Sequence, residues 1–264
     1  MERETEMSEK QNHRVALVTG GACRIGAAIV REFAGIGWQV VIHFRNSRQE
    51  AEALFSEIGG EEEGHLMVRQ DLLETGAVQS LMGVVLKRYG RLDCLVNNAS
   101  VYRRQCMADL TQELLEDAYA INFMVPFQLM QEFRKVFGQG SIVNLLDQRV
   151  ASVDPAAGAY ALAKKSLRDA TEACALEWAP QIRVNAVAPG IVLPPPELPP
   201  DTSMERILQY VPMRQCSPPA EVARACRFLA ESQTITGQIL YVDGGLHLHN
   251  GNLGEKKSQP CHFG

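Results

Sequence analysis

A short β-branched apolar run, Arg14-Val-Ala-Leu-Val-Thr19, passes directly into Gly20-Gly-Ala-Cys-Arg-Ile-Gly26. No other stretch restricts the fold so tightly. The run has the profile of a strand buried on both faces. The glycines permit a tight turn and close backbone approach by a ligand. Behind them Ala27, Ala28, Ile29, Val30, Phe33 and Ala34 follow a helical pattern that stops near Gly35 and Gly37, and a second strand covers 38–43. Strand, glycine-rich turn, helix and strand within roughly 30 residues make the first βαβ unit of a nucleotide-binding fold.

The alternation persists along the chain. Further strands are expected at 66–69, 92–96, 142–146, 182–187 and 239–243. Helices are expected at 47–58, 75–89, 113–136, 160–178 and 221–230. Alternating units of this kind imply a single-domain α/β protein, a Rossmann-type doubly wound parallel sheet of about seven strands flanked by helices. The sequence divides into a flexible acidic tail at 1–13, one domain at 14–245 and a C-terminal tail at 246–264. Prolines 194, 195, 196, 199, 200, 218 and 219 rule out regular structure over much of 191–219, with room for a turn or two of helix between 201 and 210. Long irregular loops in compact domains are usually functional, so this segment reads as a substrate lid.

Composition excludes several classes. The net charge is -5 with no basic block, which argues against nucleic acid. No apolar run approaches the ~18–20 residues that span a bilayer, and the charged N-terminus lacks the apolar core of a signal peptide. Seven cysteines, widely spaced and without a C-x-x-C, suit reduced thiols in the cytoplasm rather than disulfides or zinc. His247, His249, Cys261 and His262 are spaced too irregularly for a metal site, so no metal is expected.

The candidate polar groups all lie just after a strand. Such sheets bind ligands outside the carboxyl ends of their strands. Gly20, Arg24, Ile25 and Gly26 form the glycine turn at a helix N-terminus, where a pyrophosphate is favoured; Arg24 suits a phosphate or another anionic ligand. His43, Phe44, Arg45, Asn46 and Ser47 end the second strand without an Asp or Glu. Cations and hydroxyls at that position suit a 2′-phosphate, hence NADP(H). Asp71, followed by Leu72, either accepts from the adenine amino group or caps the next helix. Tyr160 and Lys164 lie one helical turn apart on one face, and an adjacent ammonium should pull the phenol pKa down toward working pH. Such a tyrosine passes a proton to or from a carbonyl, alkoxide or imine-type centre.

Thr-Gly-x-x-x-Arg-Ile-Gly, Asn97-Asn98-Ala99-Ser100, Tyr160-x-x-x-Lys164 and Pro189-Gly190, in this order and at these intervals, resemble the short-chain dehydrogenase/reductase superfamily over about 14–245. The resemblance implies a nicotinamide-dependent oxidoreductase. Tyr160 would protonate the substrate, Lys164 would lower the tyrosine pKa and hold the nicotinamide ribose, and Asn122 would support a proton-relay water. Asn98, Ala99, Ser100, Pro189 and Gly190 would line the cofactor, and a homotetramer is implied. Where most of the superfamily has a serine ahead of the tyrosine, this chain has Asp147. With Arg24 and the Asn-Asn-Ala-Ser stretch, that aspartate makes the chain similar to the pteridine reductase subgroup. There Asp147 would partner Tyr160, Arg24 would touch cofactor phosphate and pterin, and Tyr102 would stack on the pterin with Ser100 nearby. The small-molecule substrate is therefore expected to be pterin-like. A carbonyl reductase acting on 3-oxoacyl or sugar substrates, and a non-catalytic nucleotide-binding sensor, are the competing readings.

Overall fold

In the computed structural model, which describes residues 13–193 and 204–248, the apolar runs become seven strands. These are β1 Val15–Val18, β2 Gln39–Phe44, β3 Leu66–Arg69, β4 Cys94–Asn97, β5 Gly140–Leu145, β6 Ile182–Pro189 and β7 Ile239–Val242. They form one sheet in the order β3-β2-β1-β4-β5-β6-β7, and every neighbouring pair is parallel. β1 and β2 are buried along their whole length, and β3 and β7 at the edges are only partly covered. That gradient explains why the inner strands read as unbroken apolar runs.

The helices are α1 Arg24–Ala34, α2 Arg48–Glu57, α3 Ala77–Tyr89, α4 Gln112–Tyr119, α5 Val125–Val136, α6 Gly158–Trp178, α7 Met204–Leu208 and α8 Pro219–Glu231. Successive strand residues point to opposite faces, so each strand feeds two cores. Val15, Leu17, Leu95 and Ile142 pack against Leu81 and Met82 of α3, Leu129 and Phe133 of α5, and Leu167 of α6. Ala16, Val18, Val96 and Val143 pack against Ile29 and Phe33 of α1 and Val222 and Leu229 of α8. Burial of each such large side chain contributes about 1.5–3 kcal/mol. β1 has β2 on one side and β4 on the other, so the strand order reverses there and opens a crevice at the carboxyl edge.

The long helical region expected over 113–136 is helical from 112 to 136, with a π turn, Ala120–Met124, between α4 and α5. Pro126, near the start of α5, has no N–H to continue the regular ladder. The Val125 N–H instead reaches back to the Ala120 carbonyl. A second difference concerns the thiols. Cys23, Cys94, Cys174, Cys216 and Cys226 are free, but Cys106 is disulfide-bonded. The expectation of reduced cysteines thus fails at Cys106 and holds at the five free thiols among the described residues.

The expected N-terminal tail lies, up to residue 12, outside the described residues, as does 194–203 of the expected lid. Beyond α7 the chain packs Val211 into the interior, and the Met213 N–H donates to Gly244 O at 3.1 Å. The described chain continues past 245 through a 3₁₀ turn, Leu246–Leu248. There His247 Nδ1 meets Asp243 Oδ2 at 2.8 Å, and the His247 ring stacks on Tyr241 with centroids 4.0 Å apart. His249, Cys261 and His262 lie outside the described residues. Among the described residues no helix is long and apolar enough to cross a membrane, and no cluster of three or more His, Cys, Asp or Glu side chains is placed to hold a metal.

Candidate active site

Everything at the carboxyl edge hangs on the turn after β1. Gly20 has φ +60, and a Cβ there would lie 3.1 Å from Ala99 Cα. A Cβ on Gly26 would run into the Gly20 carbonyl oxygen and would lie 2.8 Å from Asn98 Nδ2. The end of β4 clamps this turn. Asn98 Nδ2 donates to the carbonyls of Thr19 (2.8 Å) and Gly20 (3.0 Å). Thr19 Oγ1 accepts from the N–H groups of Asn98 (2.9 Å) and Ala99 (3.0 Å). Ile25 is partly buried against the α1 core, and Arg24 stands exposed at the start of α1 with φ +54. A bulky residue held in that left-handed conformation is unusual and carries strain.

His43 supports the turn from beneath. Its Nδ1 accepts from the Gly20 N–H at 3.1 Å, and its Nε2 bonds the Gln70 carbonyl at 3.0 Å. Only the neutral ring with the proton on Nε2 serves both partners. Burial pushes the His43 pKa down from 6.5 to about 4, against the Gln70 bond and Asp71. Both ring nitrogens are thus spent inside the protein, and Phe44 is buried with Ala22 and Ala51. Of the expected cofactor-facing group at 43–47, only Arg45, Asn46 and Ser47 reach the surface.

Arg45 Nη1 lies 3.8 Å from Asp71 Oδ2, and Arg69 Nε donates to the Arg45 carbonyl at 3.2 Å. Asp71 does not cap α3, whose first flanking residue is Gly76. Its Oδ1 accepts from the Leu73 N–H at 3.1 Å, and Leu72 between them is buried. Gly190 is likewise a packing position, because a Cβ there would meet Asp243 Cα at 2.7 Å. Its N–H donates to Val242 O at 2.9 Å, which ties the Pro189 end of β6 to β7.

The side chains expected to be catalytic meet beside β5. Past its end, Asp147 is extended and caps a 3₁₀ turn, Gln148–Val150. The Tyr160 hydroxyl, from the first turns of α6, donates to Asp147 Oδ2 at 3.2 Å. Lys164 is only 2% exposed, and its Nζ donates to the Leu145 carbonyl at 2.7 Å. Burial lowers the Lys164 pKa from 10.5 to about 8, against Asp147. Tyr160 runs opposite to the sequence expectation. Burial pushes its phenol well above the ordinary 10, and Asp147 pushes the same way, against Arg149 and Ser100. The reason is geometric: the ammonium is turned into the Leu145 carbonyl, 5.8 Å from the Tyr160 ring centroid, while a carboxylate occupies the near side of the hydroxyl. In this arrangement the Tyr160 hydroxyl keeps its proton.

Asn122 is fully buried in the π turn. Its Oδ1 accepts from Ser100 Oγ at 2.6 Å and from the Val101 N–H at 3.3 Å. Its Nδ2 donates to the carbonyls of Val101 and Ala118, both at 3.0 Å. Tyr102 is 47% exposed and meets Tyr160 edge to face, with ring centroids 4.9 Å apart. Arg149 is absent from the residues read out of the sequence. Its Nη1 lies 3.1 Å from Asp147 Oδ2, its Nε 2.8 Å from Asp154 Oδ2, and its guanidinium carbon 5.4 Å from the Tyr102 centroid. Burial works against this cation, but Asp147 and Asp154 outweigh it and hold its pKa above the ordinary value. The available signal was the Asp-x-Arg spacing at a strand end, which lets a tight turn fold the guanidinium back onto the carboxylate.

Residues 20–247 match the family model described as enoyl-(acyl carrier protein) reductase. The granaticin polyketide synthase putative ketoacyl reductase 2 of Streptomyces violaceoruber is 33% identical over 246 residues, covering 89% of this chain and 96% of its own. Among solved structures, FolM alternative dihydrofolate reductase 1 from Brucella suis in complex with NADP superposes with a TM-score of 0.84 at 36% identity. That match covers 94% of this chain and 98% of the other. An actinorhodin polyketide ketoreductase with NADPH superposes with a TM-score of 0.82 at 29% identity, covering 90% of this chain and 98% of the other.

Proposed function

This chain belongs to the short-chain dehydrogenase/reductase superfamily, and from that premise we propose that it is an NADPH-dependent reductase of a pterin-type C=N, acting on dihydropterin or dihydrofolate substrates. The observation that carries this reading is the Asp147 carboxylate, 3.2 Å from the Tyr160 hydroxyl. A carbonyl needs a neutral donor beside the tyrosine, whereas a ring nitrogen flanked by N–H groups suits a carboxylate. The likeness to an alternative dihydrofolate reductase supports it.

NADP(H) is the cofactor, as in the solved relatives, which hold NADP or NADPH. The residues present fit it. Gly20 and Gly26 let the turn fold tightly against Ala99 and Asn98, which sets its backbone at the N-terminus of α1, where a pyrophosphate is favoured. Arg24 and Arg45 bring exposed cations to the carboxyl edge, for the pyrophosphate and the 2′-phosphate respectively. Asn46 and Ser47 would complete the 2′-phosphate site, Asp71 would hold the adenine amino group, and the backbone at Asn98, Ala99, Ser100, Pro189 and Gly190 would hold the rest of the cofactor toward Lys164. In this assignment residues 14–245 act as one reductase unit.

When bound, NADPH supplies a hydride. The chain supplies the proton. Tyr160 holds it up to high pH because it is buried beside Asp147. To deliver it, the hydroxyl turns from Asp147 Oδ2 toward the substrate nitrogen. Lys164, positively charged below a pKa of about 8, offsets the phenolate left behind. Asn122 fixes Ser100 and the Val101 backbone, and so the wall that carries Tyr102. Tyr102 offers its exposed face to a flat heteroaromatic ring.

A second reading, reduction of a 3-oxoacyl carbonyl, is favoured by the 33% identity to a putative ketoacyl reductase. NADPH oxidation followed with dihydrobiopterin and with a small ketoester separates the two. Turnover of the pterin is expected; turnover of the ketoester alone would sink the pterin reading and leave the reductase reading in place.

A further inference from the structure

We propose that Arg149 is a positioning residue of the reducing site, fixing Asp147 against Tyr160 and holding Tyr102 over the same place. The inference rests on the reductase reading, not on the choice of substrate. Asp147 Oδ2 is shared: Tyr160 donates to it at 3.2 Å and Arg149 Nη1 at 3.1 Å. Arg149 also reaches Asp147 Oδ1 through its backbone N–H at 2.9 Å and its Nη1 at 3.2 Å. The carboxylate plane is therefore set by Arg149 before any ligand arrives.

The other side of the guanidinium is anchored as firmly. Its Nε donates to Asp154 Oδ2 at 2.8 Å, and Asp154 Oδ1 accepts from the Ala156 N–H at 3.0 Å. Ala156 and Pro155 are in turn stitched to the loop after β4, through Gln105 N–H to Ala156 O (3.0 Å) and Met107 N–H to Pro155 O (3.3 Å). That loop carries Tyr102, whose ring centroid lies 5.4 Å from the Arg149 guanidinium carbon. One cation thus joins the loop after β4 to the loop after β5, with the proton-bearing pair between them. A planar five-donor group makes these contacts together; a lysine ammonium in its place makes only part of them.

Parent, Arg149→Met, Arg149→Lys and Asp154→Asn proteins are compared with whichever of dihydrobiopterin and the ketoester the parent reduces. A misplaced reacting group costs up to about 100-fold, so Arg149→Met should lose about tenfold or more in kcat/KM while its NADPH Kd stays within about twofold. Arg149→Lys should recover part of the loss. Asp154→Asn, which loosens one anchor but keeps the Arg149–Asp147 contact, should lose less than Arg149→Met, and a larger loss overturns the proposal. An Arg149→Met protein with parental kcat/KM, or one in which NADPH affinity falls in step with turnover, overturns the proposal. If Arg149→Met does not fold, Arg149→Lys decides: unchanged kcat/KM overturns it, and a loss with parental NADPH affinity supports it. A parent that reduces only the ketoester defeats the pterin reading and still measures Arg149.

Discussion

His43 looks in sequence like a ligand to the cofactor and in structure like a post under the glycine turn. Its neutral ring accepts from Gly20 and bonds Gln70, and protonation would set an Nδ1–H against the Gly20 N–H. With a folded pKa of about 4 against the ordinary 6.5, the stabilising contribution is fully present above about pH 6.5. It is lost as the pH falls to about 4, because the unfolded chain takes up the proton first. The shift corresponds to an effect on the order of 3 kcal/mol. His43→Gln cannot titrate. The unfolding free-energy difference between parent and His43→Gln, followed by urea denaturation from pH 7 to 4, should shift by that order in the direction that penalises the parent. A constant difference would show that the ring is not buried as described. Tyr160 teaches the same lesson at this scale: residue spacing places it beside Lys164, but the sign of its pKa shift depends on burial and on which way the ammonium points, and neither is written in a local motif.

At the scale of elements, the π turn is where local pattern and global demand part company. The apolar period from 113 to 136 gives the helical region its extent but not its π winding at Ala120–Met124, where Asn122 takes four hydrogen bonds. Such turns concentrate at functional sites. Pro126 was visible in the sequence, but its effect on the preceding ladder depends on β4, whose following loop supplies the Ser100 and Val101 partners. Asn122→Ala should lower unfolding stability by about 1–3 kcal/mol, since it strands buried partners. Thermal denaturation with the cofactor absent measures this, and a melting temperature equal to the parent's would place the turn's stability elsewhere. The inner strands, by contrast, were legible to within a residue or two, because burial on both faces leaves little but β-branched and aliphatic side chains.

For the molecule as a whole, the sheet order brings together segments far apart in sequence: the turn after β1, the ends of β2 and β3, the loops after β4 and β5, and the start of α6. The alternation of elements was enough to foresee this shared edge. It was not enough to find Arg149, whose contacts come from two loops meeting, the one after β4 and the one after β5. If Arg45 binds the 2′-phosphate, NADPH should raise the melting temperature of the whole domain more than NADH at equal concentration. A ligand at 100 times its Kd adds about 2.7 kcal/mol. Arg45→Ala should narrow the gap between the two cofactors; equal shifts in the parent would remove Arg45 from that role.

The sheet's polarity also bears on how the protein can be handled. The chain enters β1 at Val15, whose N–H donates to Asp93 at 2.8 Å with Arg91 behind it. This is the amino edge, opposite the glycine turn and the Asp147–Tyr160 pair. His13, exposed just ahead of Val15, is therefore a natural attachment point. Coupled to a bead or an electrode there, the protein would sit with its mouth toward the solution.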